Sequence, residues 1–232
     1  MRSRNHVFFR GQALFGFRVV FFSGSIGYYI MQIARISAEV FMNKVICVYA
    51  SSSNLIDRKY FDIASRLGEA IARNGDTLLF GGGVRGLMGA AATAVHRHNG
   101  RVVGIIPEAL NQKGVVYETC DELIVTKSLR ERKAIMDERS DAFIALPGGF
   151  GTLEELLEII TLKQLKYHNK PIVILNFDGF FDALLEQFGH IMDQHFAKPE
   201  SSLLYHVTTD TEDALEYIET YKPIEIREKW LT

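Results

Sequence analysis

Pro147-Gly148-Gly149-Phe150-Gly151-Thr152-Leu153-Glu154-Glu155 is the stretch whose reading settles the architecture. It follows the apolar run Ile144-Ala145-Leu146, which suits a buried strand, and precedes a helical pattern predicted to begin near Thr152. Three glycines at a strand-to-helix turn let the backbone approach an anion without Cβ clashes. The free N–H groups of the first helical turn then face that anion, assisted by the helix dipole. Glu154 and Glu155 sit just inside the helix, where a loop that only bound phosphate would gain nothing from them. A phosphate cradle beside a carboxylate points to chemistry on a phosphorylated substrate.

Upstream and downstream of this turn, strand and helix patterns alternate from Lys44 onward. Lys44–Ala50 reads as a β-branched strand, followed by the loop Ser51-Ser52-Ser53-Asn54. Asp57–Asn74 places Phe61, Ala64, Leu67 and Ile71 on one helical face, with Gly75 as a stop. Thr77–Phe80 is a second strand, and it ends at Gly81-Gly82-Gly83. The pattern then predicts a helix over Gly86–His98 and strands over Arg101–Ile106 and Glu122–Val125. Further helices are expected at Leu129–Arg139, Thr152–Leu165, Phe180–Gln194 and Thr211–Glu219. The remaining strands are Ala142–Leu146, Pro171–Leu175 and Tyr205–Thr208.

Near-continuous apolar strands separated by amphipathic helices argue for a parallel sheet covered on both faces. Right-handed crossovers then give a Rossmann-like doubly wound parallel sheet, a three-layer αβα arrangement in the α/β class. Ligands of such sheets sit beyond the carboxyl ends of the strands. Both glycine loops follow strands and belong on that edge.

With 232 residues, 47% of them apolar, the chain can bury a full core, and one domain is the default. A net charge of −2 carries no basic excess to suggest nucleic acid as a partner. Cys47 and Cys120 are too few for a disulfide framework, so a reduced, cytoplasmic setting is expected. Residues 1–41 differ from 42–232. They hold five arginines against one acid, Glu39, and the apolar run Val19–Ala34 is shorter than the ~20 residues of a membrane span. Met42 directly precedes the first strand, so an upstream start codon is the preferred reading of 1–41. A folded extension is one alternative, a targeting or anchoring segment the other. Apart from the latter, no membrane association is expected.

Gly81-Gly82-Gly83 is not the GxGxxG dinucleotide fingerprint, and no GxxxxGK[ST] loop is present. The triple glycine can serve tight helix–strand packing or contact a ligand. Thr152 and Glu155 likewise have two readings. Thr-x-x-Glu is the pattern of a capping box, in which each side chain satisfies a backbone N–H. Glu155 can equally be a catalytic carboxylate. Arg130-Glu131-Arg132-Lys133 reads as a solvated charged face when taken alone. The histidines form no grouping with carboxylates at metal-ligand spacing, and no lysine context supports a Schiff base. Neither metal nor cofactor is expected. Phe180, Phe181 and Leu184 read as core.

The chain resembles the LONELY GUY family of cytokinin riboside 5′-monophosphate phosphoribohydrolases. The resemblance rests on residues 147–155, which follow the family's PGGxGTxxE signature. It also rests on Gly81–Gly89, on Val103-Gly104-Ile105-Ile106-Pro107, on Arg132-Lys133 with Met136, and on Gln164-Leu165, His168 and Lys170-Pro171. Together these cover roughly 45 to 195. The resemblance implies hydrolysis of the N-glycosidic bond of a nucleoside 5′-monophosphate, with Arg132 and Glu155 as catalytic residues. It implies substrate binding by Lys133, Gly148, Gly149, Phe150, Gly151, Thr152, Thr161, Gly82 and Gly83, and assembly as a homodimer. Met88, Leu156, Ile159 and Ile160 are apolar residues beyond one core-facing stripe of their helices and are available for that contact.

One departure concerns the base. Gly114, in Gln112-Lys113-Gly114-Val115, stands where many family members carry an acid, and Glu118 is the nearby substitute. Two other readings stay open: a non-catalytic nucleotide or cofactor carrier on the same scaffold, and hydrolysis of ordinary AMP as the main activity.

Overall fold

The computed structural model describes residues 43–225, and the expectations for 1–41 lie outside them. Among the described residues the strands are β1 (Val45–Tyr49), β2 (Thr77–Phe80), β3 (Arg101–Pro107), β4 (Glu122–Thr126), β5 (Ala142–Ala145), β6 (Ile172–Leu175) and β7 (His206–Thr208). The helices are α1 (Arg58–Arg73), α2 (Gly86–Arg97), α3 (Leu129–Arg139), α4 (Phe150–Gln164), α5 (Asp182–Asp193) and α6 (Thr211–Thr220). All seven strands pair in parallel, in the order β4-β3-β2-β1-β5-β6-β7.

The apolar strand runs are explained by burial on both faces. Ile46 and Val48 of β1 face one layer, with Leu67 of α1, Ala91 and Val95 of α2, and Ala214 of α6. Cys47 and Tyr49 alternate to the other face, with Met136 of α3, Leu156 and Ile159 of α4, and Phe181. This is the three-layer doubly wound arrangement that the sequence pattern predicts. The chain order reverses at β1: β2, β3 and β4 extend to one side, β5, β6 and β7 to the other. The carboxyl ends of β1 and β5 therefore flank the switch point, where such sheets bind ligands.

Two local expectations change. The helix after the glycine turn starts at Phe150, not Thr152, with Gly149 at its N-cap and no side-chain cap bond. Thr152 and Glu155 thus both lie inside the helix, and the capping-box reading falls. The second change is the late start of α5 at Asp182. A 3-10 turn over Phe177–Gly179 precedes it, with positive φ at Asp178 and Gly179. The Asn176 side chain fixes this turn by accepting from Phe181 N at 2.7 Å and donating to Asp182.

Candidate active site

Three βα loops meet at the switch point. Ser51, just beyond β1, donates its backbone N–H to the Pro147 carbonyl at 3.3 Å, and its own carbonyl accepts from Leu87 N at 2.8 Å. The Ser51–Ser53 segment is thereby held between the glycine turn after β5 and the start of α2. That close approach requires Gly86, at φ +62°, because a Cβ there would fall 2.4 Å from the Ser51 carbonyl oxygen. The connection after β3 closes the other side. Val84 N donates to Val115 O at 2.9 Å and Tyr117 N to Gly82 O at 2.8 Å, which brings Val115 over the triple glycine.

These loops enclose a cavity of about 600 Å³. Gly149, Phe150, Gly151, Thr152 and Glu155 form one wall, with Arg132 and Gly81 beside them. Gly148 is packed on Thr152, and a Cβ there would lie 2.1 Å from Thr152 Oγ1. Cβ atoms at Gly149 and Gly151 would meet nothing. The turn is therefore rigid behind and open in front, and its first free helical N–H groups sit at the open side.

Glu155 is nearly buried, 9% exposed, and pairs with the Arg132 guanidinium, which donates from Nη2 to Oε1. Burial pushes the Glu155 carboxyl above the usual carboxylate range. Arg132 opposes that shift in part, while the neighbouring Glu154 adds to it. Arg132 Nε is buried and has no hydrogen-bond partner among the described residues.

Most residues expected at a site converge here: Arg132, Glu155, Gly83, Gly149, Phe150, Gly151 and Thr152 all line the cavity. Gly82 and Gly148 shape its walls from behind. Lys133 and Thr161 lie elsewhere. Lys133 pairs with Glu154 and Glu158, and Thr161 donates to Leu157 O on α4 beside an apolar groove shared with α5. Glu118 is exposed and, like Gly114, does not line the cavity, whereas Val115 does. Leu156 and Ile159 are buried in the core of this chain and Met88 lines the cavity, so of the four apolar residues named for a dimer contact Ile160 alone reaches that groove.

Sequence reasoning missed Ser51–Ser53, Arg85 and the apolar lining of Met88, Ile106, Leu110 and Val115. A serine-rich loop directly after the first strand was the available signal for the first of these. Among the described residues no lysine lines the cavity. Among the described residues no three His, Cys, Asp or Glu are grouped to hold a metal ion. No helix among them is long and apolar enough to cross a membrane.

Comparison with known proteins follows the same lines. A family model described as "Possible lysine decarboxylase" matches residues 88–218. The chain is 41% identical over 181 residues to "Cytokinin riboside 5'-monophosphate phosphoribohydrolase LOG5" of Arabidopsis thaliana, covering 78% of this chain and 79% of that protein. It is 43% identical over 180 residues to "Probable cytokinin riboside 5'-monophosphate phosphoribohydrolase LOGL9" of Oryza sativa subsp. japonica, covering 77% and 79%. Among solved structures, the molybdenum cofactor binding protein of Rippkaea orientalis matches with a TM-score of 0.59 and 26% identity, over 77% of this chain and 96% of that one.

Proposed function

Because this chain belongs to the LONELY GUY family of phosphoribohydrolases, we propose that it hydrolyses the N-glycosidic bond of an N6-modified adenosine 5′-monophosphate at the β1/β5 switch point. The products are the free base and ribose 5-phosphate. The observation that carries this reading is the Arg132–Glu155 pair, set in one cavity with the open glycine turn.

The 5′-phosphate docks on the N–H groups at Gly149–Thr152, and this remote binding energy places the anomeric carbon near Glu155. Breaking the glycosidic bond develops oxocarbenium character at that carbon. The Glu155 carboxylate stabilises the charge and deprotonates the attacking water. Water contributes hydroxyl to the sugar, and the departing base takes up a proton. Arg132 is always charged and cannot act as the acid. Its unpartnered Nε is available to a sugar or phosphate oxygen, and its Nη2 orients Glu155.

Met88, Ile106, Leu110 and Val115 form an apolar wall, which supports a substrate with an apolar N6 substituent over plain AMP. The decarboxylase wording of the family model has no counterpart in the cavity, since a Schiff base needs a lysine there. A carrier of the kind named for the structural neighbour would not need both Arg132 and Glu155. The cytoplasmic setting is supported by the two free cysteines, and homodimer formation by the apolar groove at Leu157, Ile160 and Phe188. Incubation with AMP and with isopentenyl-AMP, following base release, tests the reading. Absence of release from both would remove it.

A further inference from the structure

Helix α3 brings Arg132 to the site with little apolar anchorage, since Met136 is its one fully buried residue. Charged contacts hold it instead. Arg132 meets Glu155, Lys170 reaches Asp137 at 3.2 Å, and Arg139 reaches Glu122 at 2.6 Å. The fourth contact is a fork. Lys133 lies between Glu154 and Glu158 of α4, pairing with the first and reaching the second at 2.7 Å. Its side chain is only 16% exposed, and it does not line the cavity. Glu154 and Glu158 are one helical turn apart, so a cation seated between them is fixed along the α4 axis as well as across it. Lys133 adjoins Arg132 and Glu154 adjoins Glu155, which makes the fork and the Arg132–Glu155 contact neighbouring rungs between the same two helices.

We propose that Lys133 is a positioning residue: held between Glu154 and Glu158, it fixes α3 against α4 and thereby keeps Arg132 on Glu155. This rests on the hydrolase reading above. Because Glu154 and Glu158 are themselves solvent-exposed, the pairs contribute little to stability, but misplacing a reacting group by about 1 Å lowers a rate ~10²-fold. The fork is therefore a matter of geometry more than of stability. It also bears on the charge of Glu155. The groups facing that carboxyl are Arg132 and Lys133 from α3, Glu154 from its own helix, and the neutral, buried Cys47 and Tyr49 from β1. Lys133 favours the Glu155 carboxylate and Glu154 disfavours it.

The test is steady-state base release across pH by the full chain and its variants. Lys133→Met is expected to lower kcat about 10²-fold, leave KM near wild type, and move the acid limb of the pH profile upward. Lys133→Arg, which can bridge both carboxylates, should restore most of kcat. The double variant E154Q/E158Q removes the fork from the other side. It should lower kcat similarly while moving the acid limb downward, and it decides the matter should Lys133→Met not fold. A loss confined to KM would make Lys133 a substrate ligand. Wild-type kcat and pH profile in both the Lys133→Met and E154Q/E158Q proteins would make the fork an ordinary surface contact. Either result overturns the proposal. If Glu155→Gln is inactive in the same assay, the hydrolase reading survives that failure; if the wild-type protein releases no base, the hydrolase reading itself falls.

Discussion

Arg132 and Glu155, 23 residues apart in the chain, meet in an ion pair at the mouth of the β1/β5 switch point. Glu155 is more buried than a surface carboxylate and burial raises its proton affinity, so the contact that joins the two helices also holds the carboxylate proposed to act on the substrate.

Replacing Glu155 with Gln removes the proposed base but keeps an acceptor for Arg132. Base release should fall by about 10²–10⁴, the usual worth of a positioned acid–base group. Two stability effects oppose each other. The amide escapes the desolvation that a buried carboxylate suffers, while Arg132 loses its countercharge. The midpoint of thermal unfolding should therefore stay within ~4 °C of wild type, about 1 kcal/mol for a chain of this size. Substantial remaining activity would move the catalytic role to another group.

Arg132→Lys keeps the charge but loses the planar fork that can engage Glu155 and a substrate oxygen together. One charged hydrogen bond is worth roughly 1.5–3 kcal/mol, or about 10- to 10²-fold in kcat/KM. Initial-rate measurements that found less than a twofold change would count against the role given to Arg132.

The raised pKa of Glu155 has a direct consequence for activity. If the carboxylate is the active form, base release is lost as pH falls through that pKa. The acid limb of kcat/KM should then lie above the ~4.3 of an unperturbed glutamate. A limb at or below that value would show that Glu155 is not the titrating group.

Neighbouring glycines of the motif should respond in opposite ways to alanine. Gly148→Ala drives a Cβ into Thr152 and should lower the unfolding temperature. Gly149→Ala meets nothing in the free protein and should fold normally, but its methyl group enters the space assigned to the phosphate. A raised KM with near-normal stability is expected. Equal stability losses in both variants, read by thermal unfolding, would contradict this account of the turn.

Lys163, on α4, is fully buried, lacks a hydrogen-bond partner among the described residues, and lies 4.7 Å from the centre of the Tyr221 ring. Burial pushes its pKa down to about 8. A cation whose folded pKa is depressed contributes stability above its unfolded value, ~10.4, and that contribution is lost as pH falls through 8. Lys163→Met should therefore be more stable than wild type at pH 7, by roughly 1–3 kcal/mol. The advantage should shrink between pH 8 and ~10.4 in chemical denaturation.

How much of this was readable in advance follows from which interactions are local. Apolar runs marked the five inner strands and the parallel sheet, because burial on both faces writes itself into each strand separately; the edge strands β4 and β7 are only half-buried and were legible from their place in the strand–helix alternation. The two glycine loops could likewise be assigned to one sheet edge, since in a parallel sheet every strand-to-helix turn lies there. What neighbours in sequence could not convey was the partner of each charge. Thr152 and Glu155 matched a capping box, yet the helix begins at Phe150, because the turn packs through Gly148 onto Thr152 and Gly149 takes the cap. That shift leaves the Glu155 side chain for Arg132. Likewise, Arg130–Lys133 carried the pattern of a solvated face. Strand order decided otherwise, by laying α3 beside α4, burying Arg132 and seating Lys133 in the fork of Glu154 and Glu158. Periodicity and turn chemistry act within a few residues and so can be read from the chain. The pairing of charges across helices depends on where the sheet sets those helices side by side, and only the tertiary structure decides that.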